Sequence, residues 1–331
     1  MMGLPRGLLL FAAVALSGSA WSQARLDMDF EGDIRVQDAA TGAGAAFQLN
    51  GRPGVPLSGP MGSARIATPE IQYEGGTAAQ RSARIVADPM QPGNHVLEFR
   101  IAEPNVIVAT DGHRKSRVQM NLYGNVAAHE MYLSVRLYLD PAMASLRDFP
   151  RRFDWLTLGE FWNGAPWTGD PHPFRITLNI EKPEAAAGSP LRLAVRTQAM
   201  RSDRRDFRDA DLWQATDEAG ELVFGQWMRL EYLIREGDAT SGRFALALTP
   251  AGQARRVVFD LVRPTVHPDS PRRDGLRQVN PLKLYTSDVL TSLLADKGEA
   301  LRVLWDDLQI EVCDNSPGGG PSECSVRWAG R

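Results

Sequence analysis

The sequence predicts an all-β protein, a β-sandwich of two curved antiparallel sheets whose simplest version is a jelly roll. Three observations point there. Short stretches rich in β-branched and aromatic residues, many alternating in polarity, recur along the chain. Gly, Pro and Asp punctuators separate them, among them Asp88-Pro89, Asp170-Pro171 and Thr249-Pro250-Ala251-Gly252. No fixed-period repeat marks a propeller or solenoid, and no strand–helix alternation with a glycine fingerprint marks a nucleotide-binding core.

At the start, Arg6 precedes an apolar run at 7–16 (GLLLFAAVAL), too short to span a bilayer unaided. Ser22-Gln23-Ala24 then supplies small residues where a signal peptidase reads. The expectation is a signal peptide over 1–24, with cleavage after Ala20 as the alternative, and a single domain over 25–331. The product is then periplasmic or secreted, and no later segment is long and apolar enough to insert in a membrane. Of the 331 residues about 307 remain, enough for one large β domain. Loss of Arg6 lowers the formal charge by one from -3, and a mildly acidic chain with no basic block does not favour nucleic acid.

Strands are expected at 64–71, 95–101, 116–122, 131–139, 174–179, 192–196, 227–234, 242–248, 255–261 and 301–311. Residues 131–139 (MYLSVRLYL) alternate only partly, which suits a central, well-covered strand. A turn at 141–146 and a short helix at 288–296 are the helical expectations. Residues 148–173 and 199–221 read as long loops, the first holding Trp155, Phe161, Trp162 and Trp167. At the C terminus Cys313 and Cys324 bracket a Gly/Pro/Ser loop, the pattern of a disulfide in an exported chain.

Two polar alternations carry the functional reading. In 278–288 (QVNPLKLYTSD), Lys283 and Tyr285 are two apart and share one strand face; Arg117, Gln119 and Asn121 form a second such row. Together they suggest a groove for an oxygen-rich, anionic ligand. The charged face of a solvated strand is the ordinary alternative.

At these residues the chain resembles the concanavalin-like jelly-roll polysaccharide lyases, the heparin-lyase-I-like and the alginate- or glucuronan-lyase-like groups. Arg117-Val118-Gln119-Met120 resembles their R-(S/T)-E-L strand, and Lys283-Leu284-Tyr285 a shortened K-x-G-x-Y strand. The stretch 227–244 resembles their strand–turn–strand, and Val303-Leu304-Trp305-Asp306-Asp307 their closing strand. The resemblance spans roughly 97–312. Gln119 stands where the pattern has glutamate, the glycine between lysine and tyrosine is missing, and 157–163 offers no histidine where one is common.

The resemblance implies β-elimination on a uronic-acid polymer: a base removes the C5 proton and the C4–O bond breaks. Arg117, Gln119 and Asn121 are types that stabilise charge on the substrate carboxylate. Tyr285 is the base and acid candidate, with Lys283 or Arg117 favouring its phenolate. His129 is a possible partner base, and His113, in the turn before the Arg117 strand, a rim residue. Glu160, Trp162 and Asn163 are expected to touch sugar. The alternatives are a non-catalytic carbohydrate-binding protein and a glycoside hydrolase, for which Glu160 with Asp170 or Glu181 would supply two carboxylates. No cofactor is required by this chemistry and no histidine spacing marks zinc. Asp306 and Asp307, expected to face opposite ways, offer one ligand for a structural Ca²⁺ on the convex side.

Overall fold

A computed structural model describes residues 24–32, 34–36, 46–50, 64–73, 77, 79–103, 106–107, 114–200, 210–313 and 321–330. The expected leader falls outside these apart from Ala24, which opens the first strand. In chain order the first strands are β1 (Ala24–Met28), β2 (Arg35–Val36), β3 (Ala46–Asn50), β4 (Glu70–Tyr73), β5 (Arg81–Ala87), β6 (His95–Ile101) and β7 (Val106–Ile107). There follow β8 (Arg114–Tyr123), β9 (Glu130–Leu139), β10 (Leu156–Gly164), β11 (Phe174–Glu181), β12 (Arg192–Ala199) and β13 (Asp211–Thr216). The last are β14 (Trp227–Arg235), β15 (Arg243–Pro250), β16 (Arg256–Val262), β17 (Gln278–Asn280), β18 (Lys283–Ser287) and β19 (Leu301–Cys313). Helix α1 (Asp288–Ala295) follows β18, and α2 (Glu323–Ala329) follows β19.

These strands form two antiparallel sheets. The first runs β16-β15-β14-β9-β19-β6-β5, with β1 also paired to β19; the second runs β13-β12-β11-β10, then β17 and β18, then β8-β4-β3-β2, with β7 at the end of β8. The inward faces meet in one core. Leu133, Val135, Leu137, Tyr232, Phe244 and Trp305 come from the first sheet; Val118, Met120, Phe161, Ile176, Leu178 and Leu284 from the second. The fold is therefore the expected jelly-roll β-sandwich. β9 is central, flanked by β14 and β19, in keeping with its weak alternation.

Several expectations change. Both supposed long loops contain strands: 148–173 holds β10, in the middle of the second sheet, and 199–221 holds the edge strand β13. Residues 156–164 (LTLGEFWNG) are all buried, so a strand covered on both faces shows no polar alternation to read. Strand structure expected from 64 begins at Glu70, after a single bridge between Arg65 and Val126. The expected turn at 141–146 is a 3-10 helix over Pro141–Asp148, capped by the Asp140 side chain.

Asp306 and Asp307 lie at a bulge in β19, where Asp307 takes φ 48. Strict alternation fails there, and one guanidinium nitrogen of Arg136 approaches both carboxylates, at 3.0 and 3.7 Å. Among the described residues no group of three or more His, Cys, Asp or Glu side chains is arranged to hold a metal ion. Nor is any helix among them long and apolar enough to cross a membrane. Cys313 and Cys324 form the expected disulfide, S–S 2.04 Å. It ties α2 against the outer face of the first sheet, where Trp328 packs with Tyr132, Leu233 and Ala247.

Candidate functional site

The outer face of the second sheet carries the polar rows. Pairing sets Lys283 beside Gln119 and Tyr285 beside Arg117, so register alone joins residues more than 160 positions apart. On the other side Tyr285 pairs with Thr157, and Thr157 with Asn179. A parallel row runs from Glu160 through Thr177 to Arg196.

Two neighbouring irregularities shape this face. β10 slips by one residue between Thr157 and Gly159, and the lane between β10 and β8 is broken at Pro281 and Leu282. Proline has no N–H for the ladder. Across the break the partner register on β8 changes: Val279 faces Leu122, but Lys283 faces Gln119. Each irregularity inverts the in–out parity. Thr157 and Glu160 thus share a face despite an odd spacing, as do Asn280 and Lys283, while Leu158, Phe161, Val279 and Leu282 enter the core.

The centre is sealed. Glu160 and Lys283, 3% and 1% exposed, form a buried ion pair, and the other Glu160 oxygen accepts from Arg175 at 2.9 Å. Burial pushes the Glu160 carboxyl up, but Lys283 and Arg175 overcome it and hold it at about 2. Burial, together with Arg117 and Arg175, brings Lys283 down to about 8 against the pull of Glu160. Beside this pair, Gln119 Nε2 reaches Asn121 Oδ1 at 2.6 Å, Gln72 Oε1 at 3.1 Å and the Tyr123 hydroxyl at 3.2 Å. Asn280 joins the same cluster through Asn121 Oδ1, at 2.8 Å. Burial pushes the Tyr123 hydroxyl up. Gln119, Asn121, Lys283 and Glu160, expected in a groove, are instead its buried foundation.

The open part is a cavity of about 320 Å³ lined by Trp155, Thr157, Arg175, Thr177, Asn179, Arg196, Gln198, Asp154 and Tyr285. Tyr285 is half-buried, edge-to-face with Trp155 at 4.9 Å. Three cations surround its ring: Lys283 Nζ at 4.9 Å, Lys115 Nζ at 5.6 Å and the Arg117 guanidinium at 5.9 Å. Arg175 Nε donates to Gln198 Oε1 at 2.7 Å, and Arg196 pairs with Asp154 at 2.5 Å.

Other candidates fall elsewhere. Trp162 is 3% exposed, beneath the Arg175 guanidinium and against Trp167. The Asn163 side chain donates to Glu236 at 3.0 Å, and His129 Nδ1 lies 2.6 Å from the other oxygen of that carboxylate. The two therefore belong to a network with Glu236 at the end of β14, which also accepts from the Gly275 N–H. There Gly275 is at φ +79, and a Cβ at this position would stand 2.8 Å from the Ala128 backbone nitrogen. His113 lies outside the described residues.

The polar faces of β11 and β12 were missed in the sequence. Arg175, Thr177 and Asn179 alternate with Phe174, Ile176 and Leu178, and Arg196 and Gln198 follow the same period, so the signal was present. Tyr123 likewise extends the Arg117, Gln119, Asn121 row by one step.

No protein-family model matches the chain, and no curated protein matches it significantly. Among solved structures it is similar to alginate lyase Aly36B, at 12% identity and TM-score 0.40, over 86% of this chain and 96% of that one. An endo-beta-1,4-glucuronan lyase from the fungus Trichoderma reesei matches at 13% identity and TM-score 0.38, over 70% and 87%. The VIP36 exoplasmic/lumenal domain, in a Ca2+/Man3GlcNAc-bound form, matches at 8% identity and TM-score 0.37, over 72% and 86%. In fold the chain is distantly similar to several polysaccharide lyases, and no one family is assigned.

Proposed function

We propose that the protein is a polysaccharide lyase that cleaves a uronic-acid-containing chain by β-elimination in the cavity at Tyr285. The observation that carries this reading is the meeting of a cation-ringed phenol with two arginines and neutral hydrogen-bonding side chains in one open cavity. In the reaction Tyr285 takes the C5 proton and the C5–H electron pair becomes the C4–C5 double bond. The C4–O pair leaves on the glycosidic oxygen, which receives a proton from the same phenol. Arg175, Arg196, Asn179 and Gln198 supply the cationic and amide groups that stabilise the substrate carboxylate as charge builds on it. Arg117 and Lys283 act on Tyr285 rather than on sugar. The partner is an anionic polysaccharide, and an exported, periplasmic or secreted location accords with the disulfide.

Incubation with alginate, glucuronan and glycosaminoglycans, followed by the absorbance of new unsaturated uronate, tests the reaction. Tyr285→Phe should abolish that signal while leaving the fold intact; undiminished elimination by the folded variant would exclude Tyr285 as base. A second reading, carbohydrate binding without cleavage, is favoured by the burial of Gln119 and Lys283, which keeps both from touching sugar. Saturable binding with no product would support it. Hydrolysis is not favoured, because Glu160 is sealed in ion pairs with Lys283 and Arg175 and Asp154 is the one carboxylate among the residues lining the cavity, where two flanking the bond are needed.

A further inference from the structure

The cavity does not end the apolar and polar surface of this face. It runs along β11 to Arg175, whose guanidinium lies 5.4 Å over the Trp162 ring. Trp162 meets Trp167 at 4.8 Å, edge to face, and Trp167 leans on Tyr123 at 5.8 Å with 34° between the rings. Trp167 itself is 53% exposed, and it is the one aromatic among the exposed large hydrophobic side chains of the described residues. Tryptophan is highly buried on average, and here more than half of the residue is left to solvent.

Its backbone is held firmly. Pro166–Thr168 form one 3-10 turn closed by Gly169 at φ 73, and Thr168 Oγ1 donates to the Ala165 carbonyl at 2.8 Å. Just before the turn, a Cβ at Gly164 would stand 2.5 Å from the Asp170 side chain, so β10 and the segment after the turn are in close contact. A fixed, half-exposed indole backed by two aromatic rings is a flat apolar shelf, and Arg175 joins it to the cavity.

We infer that Trp167 is a stacking site for a pyranose ring of the same polysaccharide chain that enters the Tyr285 cavity, with an acidic unit of that chain passing over Arg175. A pyranose presents apolar C–H groups on its faces and polar groups at its edge, which matches an indole face bordered by a guanidinium. The shelf extends the ligand beyond the cavity, so it selects polymer over short fragments. This inference rests on the anionic-polysaccharide reading of the groove.

Affinity electrophoresis through gels containing alginate or glucuronan, with dextran as the neutral control, tests it. Wild type should be retarded by at least one polyanion. Trp167→Ala should weaken that retention about tenfold, equivalent to ~1.4 kcal/mol, and Trp167→Tyr should keep most of it. Arg196→Ala reports on the groove separately. Retention lost in Arg196→Ala but unchanged in a folded Trp167→Ala overturns the shelf alone. Absence of retention in wild type overturns the groove reading and the shelf with it. A wild-type dimer that Trp167→Ala dissolves, with polymer retention unaltered, would assign the indole to a protein interface and overturn the inference.

Discussion

Glu160 has a cation on each carboxylate oxygen, and Lys283 has Glu160 as its counter-charge in a site closed to water. Glu160→Gln would leave the ammonium uncompensated. The variant should lose about 3–5 kcal/mol in urea unfolding at neutral pH, whereas Glu160→Gln with Lys283→Met should recover most of it. Equal destabilisation of both would show that the ion pair is not what matters. Glu160 is held at about 2, below its ordinary 4.5, so its contribution is present above 4.5 and disappears as pH falls towards 2. Alternation in the sequence told which of these side chains share a face. It could not tell depth: Gln119 is flanked by β4 and the β17–β18 lane and is sealed, while Tyr285 is half-open.

At the scale of single strands, the bulges decide what the sequence conceals. A period-two reading correctly grouped Lys283 with Tyr285 and Arg117 with Gln119, since both pairs lie within unbroken stretches. It failed across Pro281, at Gly159 and at Asp307, where one additional residue reverses the parity of everything beyond. Asn280 was accordingly not grouped with Lys283. The β19 bulge has its own pH signature. Burial raises Asp306 from 3.8 to about 6, against Asn94 and Arg136. The folded state therefore holds the proton more tightly, and this stabilising contribution, complete below 3.8, is lost as pH rises through about 6. Asp306→Asn should flatten the decline in unfolding midpoint between about pH 4 and 6; an unchanged slope would point to another group.

Across the whole molecule the two outer faces do different work. The second sheet bears the cavity; the first is covered by α2 and the Cys313–Cys324 bridge. Replacing both cysteines by serine should cost about 2–4 kcal/mol in urea unfolding, with polymer retention at the opposite face preserved. Loss of retention at unchanged stability would contradict this separation. The two-sheet architecture was readable from strand content, but the lane order was not, because antiparallel neighbours such as β6 and β19 are some 200 residues apart. That distance also sets an order of assembly. β19, which follows all the strands it pairs with, occupies the interior of its sheet between β9 and β6, with β1 on its remaining length. Until β19 is present, those earlier strands hold unpaired edges, so closure of the first sheet waits for it and is governed by long-range pairing. A chain truncated after Ala300 should show no cooperative unfolding transition in urea, however complete the second sheet.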